Sequence, residues 1–375
     1  MSYSLIDAIG NTPLVEVRRL NPNPKVRILA KLEYLNPGGS IKDRPALYMI
    51  EAGEKSGELT PDKTVIEATS GNTGIGLALV CAVKGYKLLL AMSESASLER
   101  RKILKARGAE ILLTPGHMGT DGAIEEVYRL VREHPETYFM ADQYNTDANW
   151  QAHYYGTAVE IWEQTGGSVT TVVATMGTTG TLMGLSRRLK EYNPEIRIVG
   201  VEPYLGHKIQ GLKNMKEAYE PGIFEKERLD RKVNIDDEEA FEMTRRLARE
   251  EGLFVGMSSG AAMAIAAREA QSMASGTIVV IFPDSGERYL STSLFTVADK
   301  VVMKVFNTMS RRKEPLEPTL PGKVSVYSCG PTAHARLHPD EWRRFVFADL
   351  PCRYLEYRGY DVTHVMNITD PHHKT

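Results

Sequence analysis

The sequence predicts an α/β protein built on mainly parallel sheets. Three observations carry this. Short apolar strands alternate with amphipathic helices through roughly the first 300 of its 375 residues. Four loops rich in Gly, Ser and Thr follow a strand or an extended run, where ligands collect in such sheets. The chain is also long enough for two compact α/β units and an appendage.

Taken in order, Val65–Ala68, Lys87–Met92, Ile111–Thr114 and Tyr138–Ala141 read as strands. Ile75–Val83, Leu98–Arg107 and Asp121–Glu133 read as the helices between them. A second series has strands at Val169–Met176, Ile196–Val201 and Thr277–Phe282. Its helices fall at Leu182–Tyr192, Glu238–Glu251 and Ala261–Gln271. Strand–helix–strand alternation calls for right-handed crossovers between parallel strands.

Composition narrows the function. The net charge of −2 gives no basic excess for nucleic acid, and no apolar run is long enough to suggest a membrane span. Met1-Ser2-Tyr3-Ser4 lacks the basic-then-apolar signature of a signal peptide, so the cytoplasm is the expected compartment. Cys81, Cys329 and Cys352 are too few and too scattered for a disulfide framework. Cys81 lies in an apolar helix and reads as core.

Lys42 stands in Asn36-Pro37-Gly38-Gly39-Ser40-Ile41-Lys42-Asp43-Arg44-Pro45, ahead of a helix-compatible run. The glycines let backbone approach a ligand closely, and Ser40 is expected to cap the following helix. The lysine is placed to form an imine with an aldehyde, but an ordinary turn before a helix reads the same way. Thr69-Ser70-Gly71-Asn72-Thr73-Gly74 sits between a strand and a helix, where N–H groups and hydroxyls converge on an anion. Gly177-Thr178-Thr179-Gly180-Thr181 repeats the arrangement and suits a dianionic phosphate. Each loop alone is equally a structural βα turn. Neither is a Walker loop or a dinucleotide fingerprint.

Together, Ser40–Arg44 (SIKDR), Thr69–Gly74 (TSGNTG), Gly177–Thr181 (GTTGT), Gly256–Gly260 (GMSSG) and Pro283–Thr292 (PDSGERYLST) resemble the cysteine synthase family. That family, which includes cystathionine β-synthase, comprises fold-type II pyridoxal-phosphate enzymes. The likeness runs from about Ile6 to about Phe295. It implies two three-layer α/β/α subdomains with the cofactor between them. The mobile one would span about 42–144, and the larger one 1–41 and 145–300.

The resemblance also implies roles. Lys42 would bind pyridoxal 5′-phosphate covalently and then act as general base at the substrate Cα. Thr69, Ser70, Asn72, Thr73 and Gln143 would grip the substrate carboxylate, with Asn72 also on the cofactor's 3′-oxygen. Gly177, Thr178, Thr179, Gly180 and Thr181 would hold the phosphate. Ser258 would face the pyridine nitrogen. A neutral hydroxyl there leaves the ring a weaker electron sink than an aspartate partner would, favouring β-elimination to an aminoacrylate. Ser258 could otherwise cap a helix from Ala261, and Gln143 could be a solvated loop residue. No metal is expected.

The implied reaction is L-cysteine formation from O-acetyl-L-serine and sulfide, in a homodimer. Lys213 and Lys216, in Gly206–Lys216 at the family's active-site mouth, resemble B-type synthases, some of which take thiosulfate or O-phosphoserine. Exposed lysines are also ordinary surface residues. Cystathionine synthesis, or a cleft that captures the C-terminal peptide of serine acetyltransferase, are the alternatives. A serine or threonine dehydratase fits less well around the lysine. Ser93 stands where many relatives have proline, which bears on the lid-like loop and on thiol selectivity.

Residues 301–375 resemble the start of cysteinyl-tRNA synthetase, through Cys329-Gly330-Pro331-Thr332, Arg353–Thr363 and Val365–Asp370. The His-Ile-Gly-His signature falls at His338-Pro339-Asp340-Glu341, where only the first histidine matches. Pro339 removes a donor, and two acids stand where phosphates would sit. Cys329 matches one zinc ligand, whereas His372 and His373 read as an inert terminal pair. The expectation is a degenerate appendage of roughly one strand–helix–strand unit, without aminoacylation or zinc and too short for a core of its own, either partly disordered or packed on the synthase body.

Overall fold

The computed structural model describes residues 4–69, 71–94, 98–217, 219–295, 303–320, 322–331 and 339–368. Contacts divide the chain into two units, one ending at Arg288 and the other beginning at Tyr289.

The first unit opens with β1 (Leu14–Val17) and β2 (Val26–Leu32), followed by α1 (Asp43–Ser56). Then come β3 (Thr64–Ala68), α2 (Asn72–Lys84), β4 (Lys87–Ser93), α3 (Leu98–Ala106), β5 (Glu110–Thr114), α4 (Gly119–Glu133) and β6 (Tyr138–Met140). Helix α5 (Asp147–Ala152) runs through a π turn (His153–Thr157) into α6 (Ala158–Gln164). The rest comprises β7 (Thr171–Thr175), α7 (Gly180–Tyr192), β8 (Arg197–Pro203), β9 (Arg231–Ile235), α8 (Asp237–Arg246), α9 (Met257–Ser272) and β10 (Gly276–Phe282).

Among the described residues these strands form two sheets. One has the order β5-β4-β3-β6 and is parallel throughout. The other has the order β1-β2-β10-β7-β8-β9, parallel except for the β1–β2 pair. The α/β, mainly parallel architecture expected from the alternation is therefore present.

Periodicity fixes which faces are buried. Helix α2 is apolar nearly all round, and Leu77, Ala78, Val80 and Cys81 pack beside Val65, Leu90 and Met92. Burial raises the Cys81 thiol to about 12, which leaves it an inert packing group. In the larger sheet, Val172, Ala174, Val279 and Ile281 meet Leu182, Leu185 and Leu189 of α7.

A buried ionic cluster sits beneath α1. Arg44 donates from Nε to Glu33 Oε2 at 2.7 Å and from Nη1 to Glu160 Oε1 at 2.7 Å. The fully buried Lys31 donates to Glu160 Oε2 at 2.6 Å, to the Thr12 carbonyl at 2.6 Å and to Gln164 Oε1 at 2.9 Å. Burial alone would raise the Glu160 pKa, but Arg44 and Lys31 overcome it and hold the carboxyl at about 2. The cluster ties the first turn of α1 to β2 and α6.

The second unit has a hairpin, β11 (Lys304–Asn307) with β12 (Arg312–Pro315), and a parallel pair, β13 (Lys323–Ser328) with β14 (Asp361–Met366), connected by α10 (Pro339–Tyr357). Its interior is thin: Tyr289, Leu294, Val324, Cys352 and Leu355 are its buried hydrophobic residues among those described, and only the last three lie beyond residue 300. His338, His372 and His373 lie outside the described residues, while Cys329 is a free, exposed thiol. No described helix is long and apolar enough to cross a membrane.

Candidate active site

The site is built at the carboxyl ends of β3, β7 and β10. The Lys42 turn is pinned to the last of these: Ile41 N donates to the Pro283 carbonyl at 2.8 Å, and Ser40 bridges Asp284. Gly39 has φ +82°, and a Cβ there would fall 2.6 Å from Arg288 Nη2. The left-handed backbone favours glycine there, and any side chain would displace the Arg288 guanidinium. Ser40 does not cap α1 as expected. The cap position is Lys42 itself, whose N–H donates to Ser40 Oγ at 3.2 Å. The serine shapes the turn rather than the helix, because the tight Gly-Gly bend places it two residues too early.

Lys42 is partly exposed, yet the protein around its amine lowers the pKa to about 8, against the opposing pull of Asp284. An amine with that pKa holds far more free base near neutrality than an ordinary lysine, which suits it to act as nucleophile or base.

The second turn follows β3. Thr69 Oγ1 accepts from Gly71 N at 3.2 Å, and Thr73 Oγ1 donates to Gln143 Oε1 at 2.7 Å. Thr69, Asn72, Thr73 and Gln143 are thus gathered at the start of α2, while Ser70 lies outside the described residues. Gln143 is buried rather than a solvated loop residue, and its N–H donates to Glu67 Oε2 at 3.1 Å. Burial raises the Glu67 carboxyl to about 8, despite the N–H groups of Gln143 and Ala68 that it accepts.

Asn72 joins the second turn to the first. Its Nδ2 donates to Asp284 Oδ2 at 2.7 Å, and its Oδ1 accepts from Arg288 Nη1. Arg288 Nη2 also donates to the Gly38 carbonyl at 2.5 Å.

The third turn, Gly177–Thr181, opens the 13-residue helix α7. Thr179 has φ +66° with its hydroxyl buried and unpartnered by protein. A left-handed threonine costs about 1–3 kcal/mol, and such strain marks places where the surroundings dictate the backbone. Free N–H groups at a helix start, an unpaired hydroxyl and no acidic residue in the turn fit a phosphate ester. Gly177 leaves room for the facing segment, since a Cβ there would lie 2.7 Å from the Gly211 carbonyl.

That facing segment carries the two lysines noted in the sequence. Lys213 N donates to the Met176 carbonyl at 2.8 Å, so the run lies beside the turn. The Lys213 ammonium, however, pairs with Glu217 Oε2 at 3.3 Å, which offsets its charge.

Ser258 is the second residue of α9 and is nearly fully buried. The helix begins at Met257, so Ser258 lies in its first turn and is not a cap for a helix from Ala261. Gly256 N donates to the Asp284 carbonyl at 3.0 Å, which brings this turn to the same strand end as Lys42. Asp284, Arg288, Glu67, Asn149 and His153 are site neighbours to which the sequence reading assigned no role. Asp284 and Arg288 fall inside Pro283–Thr292, but side-chain direction there cannot be read from spacing.

Residues 5–284 match the family of pyridoxal-phosphate dependent enzymes. A cysteine synthase from Aquifex aeolicus (strain VF5) is 49% identical over 304 residues, covering 79% of this chain and 93% of the relative. The chain belongs to the cysteine synthase family of pyridoxal-phosphate dependent enzymes. Cysteine synthase B from Pseudomonas aeruginosa is 46% identical over 292 residues, covering 78% of this chain and 97% of the relative. Among solved structures, a cysteine synthase from Entamoeba histolytica is 42% identical with a TM-score of 0.76, covering 79% of this chain and 91% of that one. This family member is therefore a fold-type II enzyme that uses pyridoxal phosphate. Separately, residues 315–375 match the class I (C) tRNA synthetase catalytic-domain family.

Proposed function

We propose that the chain makes L-cysteine from O-acetyl-L-serine and sulfide by β-replacement. The observation that carries this is the Lys42 amine, lowered to about 8 and held between an anion-binding turn after β3 and another after β7. Bound pyridoxal phosphate supplies an electron sink that stabilises negative charge at the substrate Cα.

The chain's own groups do the rest. Lys42 holds the cofactor, and its freed amine takes the proton from Cα. Thr69, Ser70, Asn72, Thr73 and Gln143 hold the substrate carboxylate through N–H, amide and hydroxyl donors. Pairing between Thr73 and Gln143 leaves the Gln143 amide nitrogen, now 3.4 Å from the Ala68 carbonyl, as the available donor of that side chain. Gly177–Thr181 receives the phosphate on helix N–H groups and hydroxyls. Ser258 faces the pyridine nitrogen without forcing its protonation.

The assembly is proposed to be a homodimer of cytoplasmic location, able to bind the C-terminal peptide of serine acetyltransferase. Residues 1–300 form the synthase, with about 42–144 moving against the remainder, and 301–375 form the appendage. The Lys213–Glu217 pair argues against a strong call for an anionic donor or nucleophile, so acetylserine and sulfide lead over phosphoserine and thiosulfate.

The test is product analysis with purified protein, acetylserine, phosphoserine or serine as donor, and sulfide, thiosulfate or homocysteine as nucleophile. Cysteine from acetylserine and sulfide is expected as the fastest product. Pyruvate release without cysteine, or faster cystathionine formation, would reject the assignment.

A further inference from the structure

Two residues one helical turn apart, Asn149 and His153, grip the two ends of the Gly177–Thr181 turn. Asn149 Nδ2 donates to Thr178 Oγ1 at 3.1 Å and to the Gln143 carbonyl at 2.6 Å. His153 Nε2 lies 3.3 Å from Thr181 Oγ1, and its Nδ1 lies 2.9 Å from Thr157 Oγ1. His153 is fully buried and Asn149 nearly so.

Their spacing places both on one face of α5 and its continuation. The continuation is a π turn that begins at His153, a local widening that recurs at functional positions. Contact with α7 is close. A Cβ at Gly180 would sit 2.1 Å from Asn149 Oδ1, and one at Gly184 would sit 2.6 Å from the His153 Cβ. Burial, with Arg44 and Lys42 nearby, keeps the imidazole neutral by pulling its pKa well below the usual histidine range. A neutral ring donates through one nitrogen and accepts through the other, so both threonine hydroxyls can be satisfied at once.

We infer that Asn149 and His153 are positioning residues that hold the turn in its anion-receiving shape and link it, through the Gln143 carbonyl, to the loop that receives the substrate carboxylate. Neither touches the reacting atoms. They act through Thr178, Thr181 and Gln143. Their work is preorganisation: the left-handed Thr179 backbone lies between the two clamped hydroxyls, so the strain is held before the ligand arrives.

This inference rests on the proposal that the turn takes the cofactor phosphate, and the experiment separates the two. Affinities of pyridoxal 5′-phosphate and of pyridoxal, which lacks the phosphate, are measured for the cofactor-free full chain, with the apo melting temperature recorded alongside. Wild type should prefer the phosphate ester strongly. The substitution His153→Leu, of similar bulk, should lower the ratio of the two affinities by about tenfold, the worth of one lost buried hydrogen bond. His153→Gln, whose amide can reach Thr181, should restore most of it.

Asn149→Leu provides the same test at the other end of the turn should His153→Leu fold poorly. A variant that weakens both ligands equally, or lowers only the melting temperature, overturns the positioning role. Wild type that binds pyridoxal as well as its phosphate ester overturns the phosphate reading itself, and the clamp with it.

Discussion

At the scale of single residues the account turns on a lysine whose charge the fold does not welcome. Lys42 titrates at about 8 because burial disfavours its ammonium form more than Asp284 favours it. The unfolded chain, at the ordinary lysine value of about 10.5, binds that proton more tightly. Native stability is therefore penalised at neutral pH and recovers as pH rises from about 8 to about 10.5. Removing the amine as Lys42→Met should raise apo-enzyme stability at pH 7 by about 2 kcal/mol, discounted from the full shift because the side chain is partly solvated. Thermal melts across pH 7–11 check this: the gap should narrow with rising pH, and a constant gap would reject the burial account. The same variant should lose at least about a thousandfold in cysteine formation, in the range expected for removal of a general base that also anchors the cofactor. Loading of wild type with pyridoxal phosphate, followed by absorption, should accelerate as pH rises through about 8.

At the scale of elements, the first turns of helices carry the site. Periodicity places α2, α7 and α9 from Ile75, Leu182 and Ala261, whereas the structure starts them at Asn72, Gly180 and Met257. Apart from Met257, the missing residues are glycines or small polar residues, suited to free N–H groups and hydroxyls rather than to an apolar pattern, so hydrophobic spacing could not find them. Gly180→Ala would drive a methyl into the Asn149 amide. It should cost about 1–3 kcal/mol and weaken cofactor binding, measured by melting and by titration. The ionic cluster under α1 makes a further prediction. Arg44→Met leaves Glu33 and Glu160 without their main partner and should destabilise by about 3–5 kcal/mol in denaturant unfolding. A loss below about 1 kcal/mol would show that the cluster does not hold the lysine-bearing turn.

At the scale of the whole molecule, the parallel α/β plan was legible because strand–turn–helix alternation survives in the apolar pattern from Val65 to Phe282. The short β1 and β9 were not singled out. Nor was β2, whose buried Lys31 interrupts its apolar run. The ionic cluster was illegible too, since its members come from Thr12, Lys31, Glu33, Arg44, Glu160 and Gln164, distant in sequence. The motif turns were readable as anion sites, but their bracing by Asn149 and His153 depends on a π turn that no spacing rule gives. In the tail, the parallel β13–β14 pair with α10 forms a strand–helix–strand unit, preceded by the β11–β12 hairpin that was not singled out from the sequence. A chain ending at residue 300 should keep cysteine synthesis within about twofold of the full chain, since the proposed catalytic groups all precede it. A tenfold loss in kcat would assign the tail a part in the synthase.

The central claim is that the Lys42 amine carries the cofactor. Borohydride treatment of the loaded enzyme, followed by peptide mass mapping, tests it most directly. The account predicts one phosphopyridoxyl group, on the peptide containing Lys42. A group on another lysine, or none at all in a chain that still forms cysteine, would contradict it.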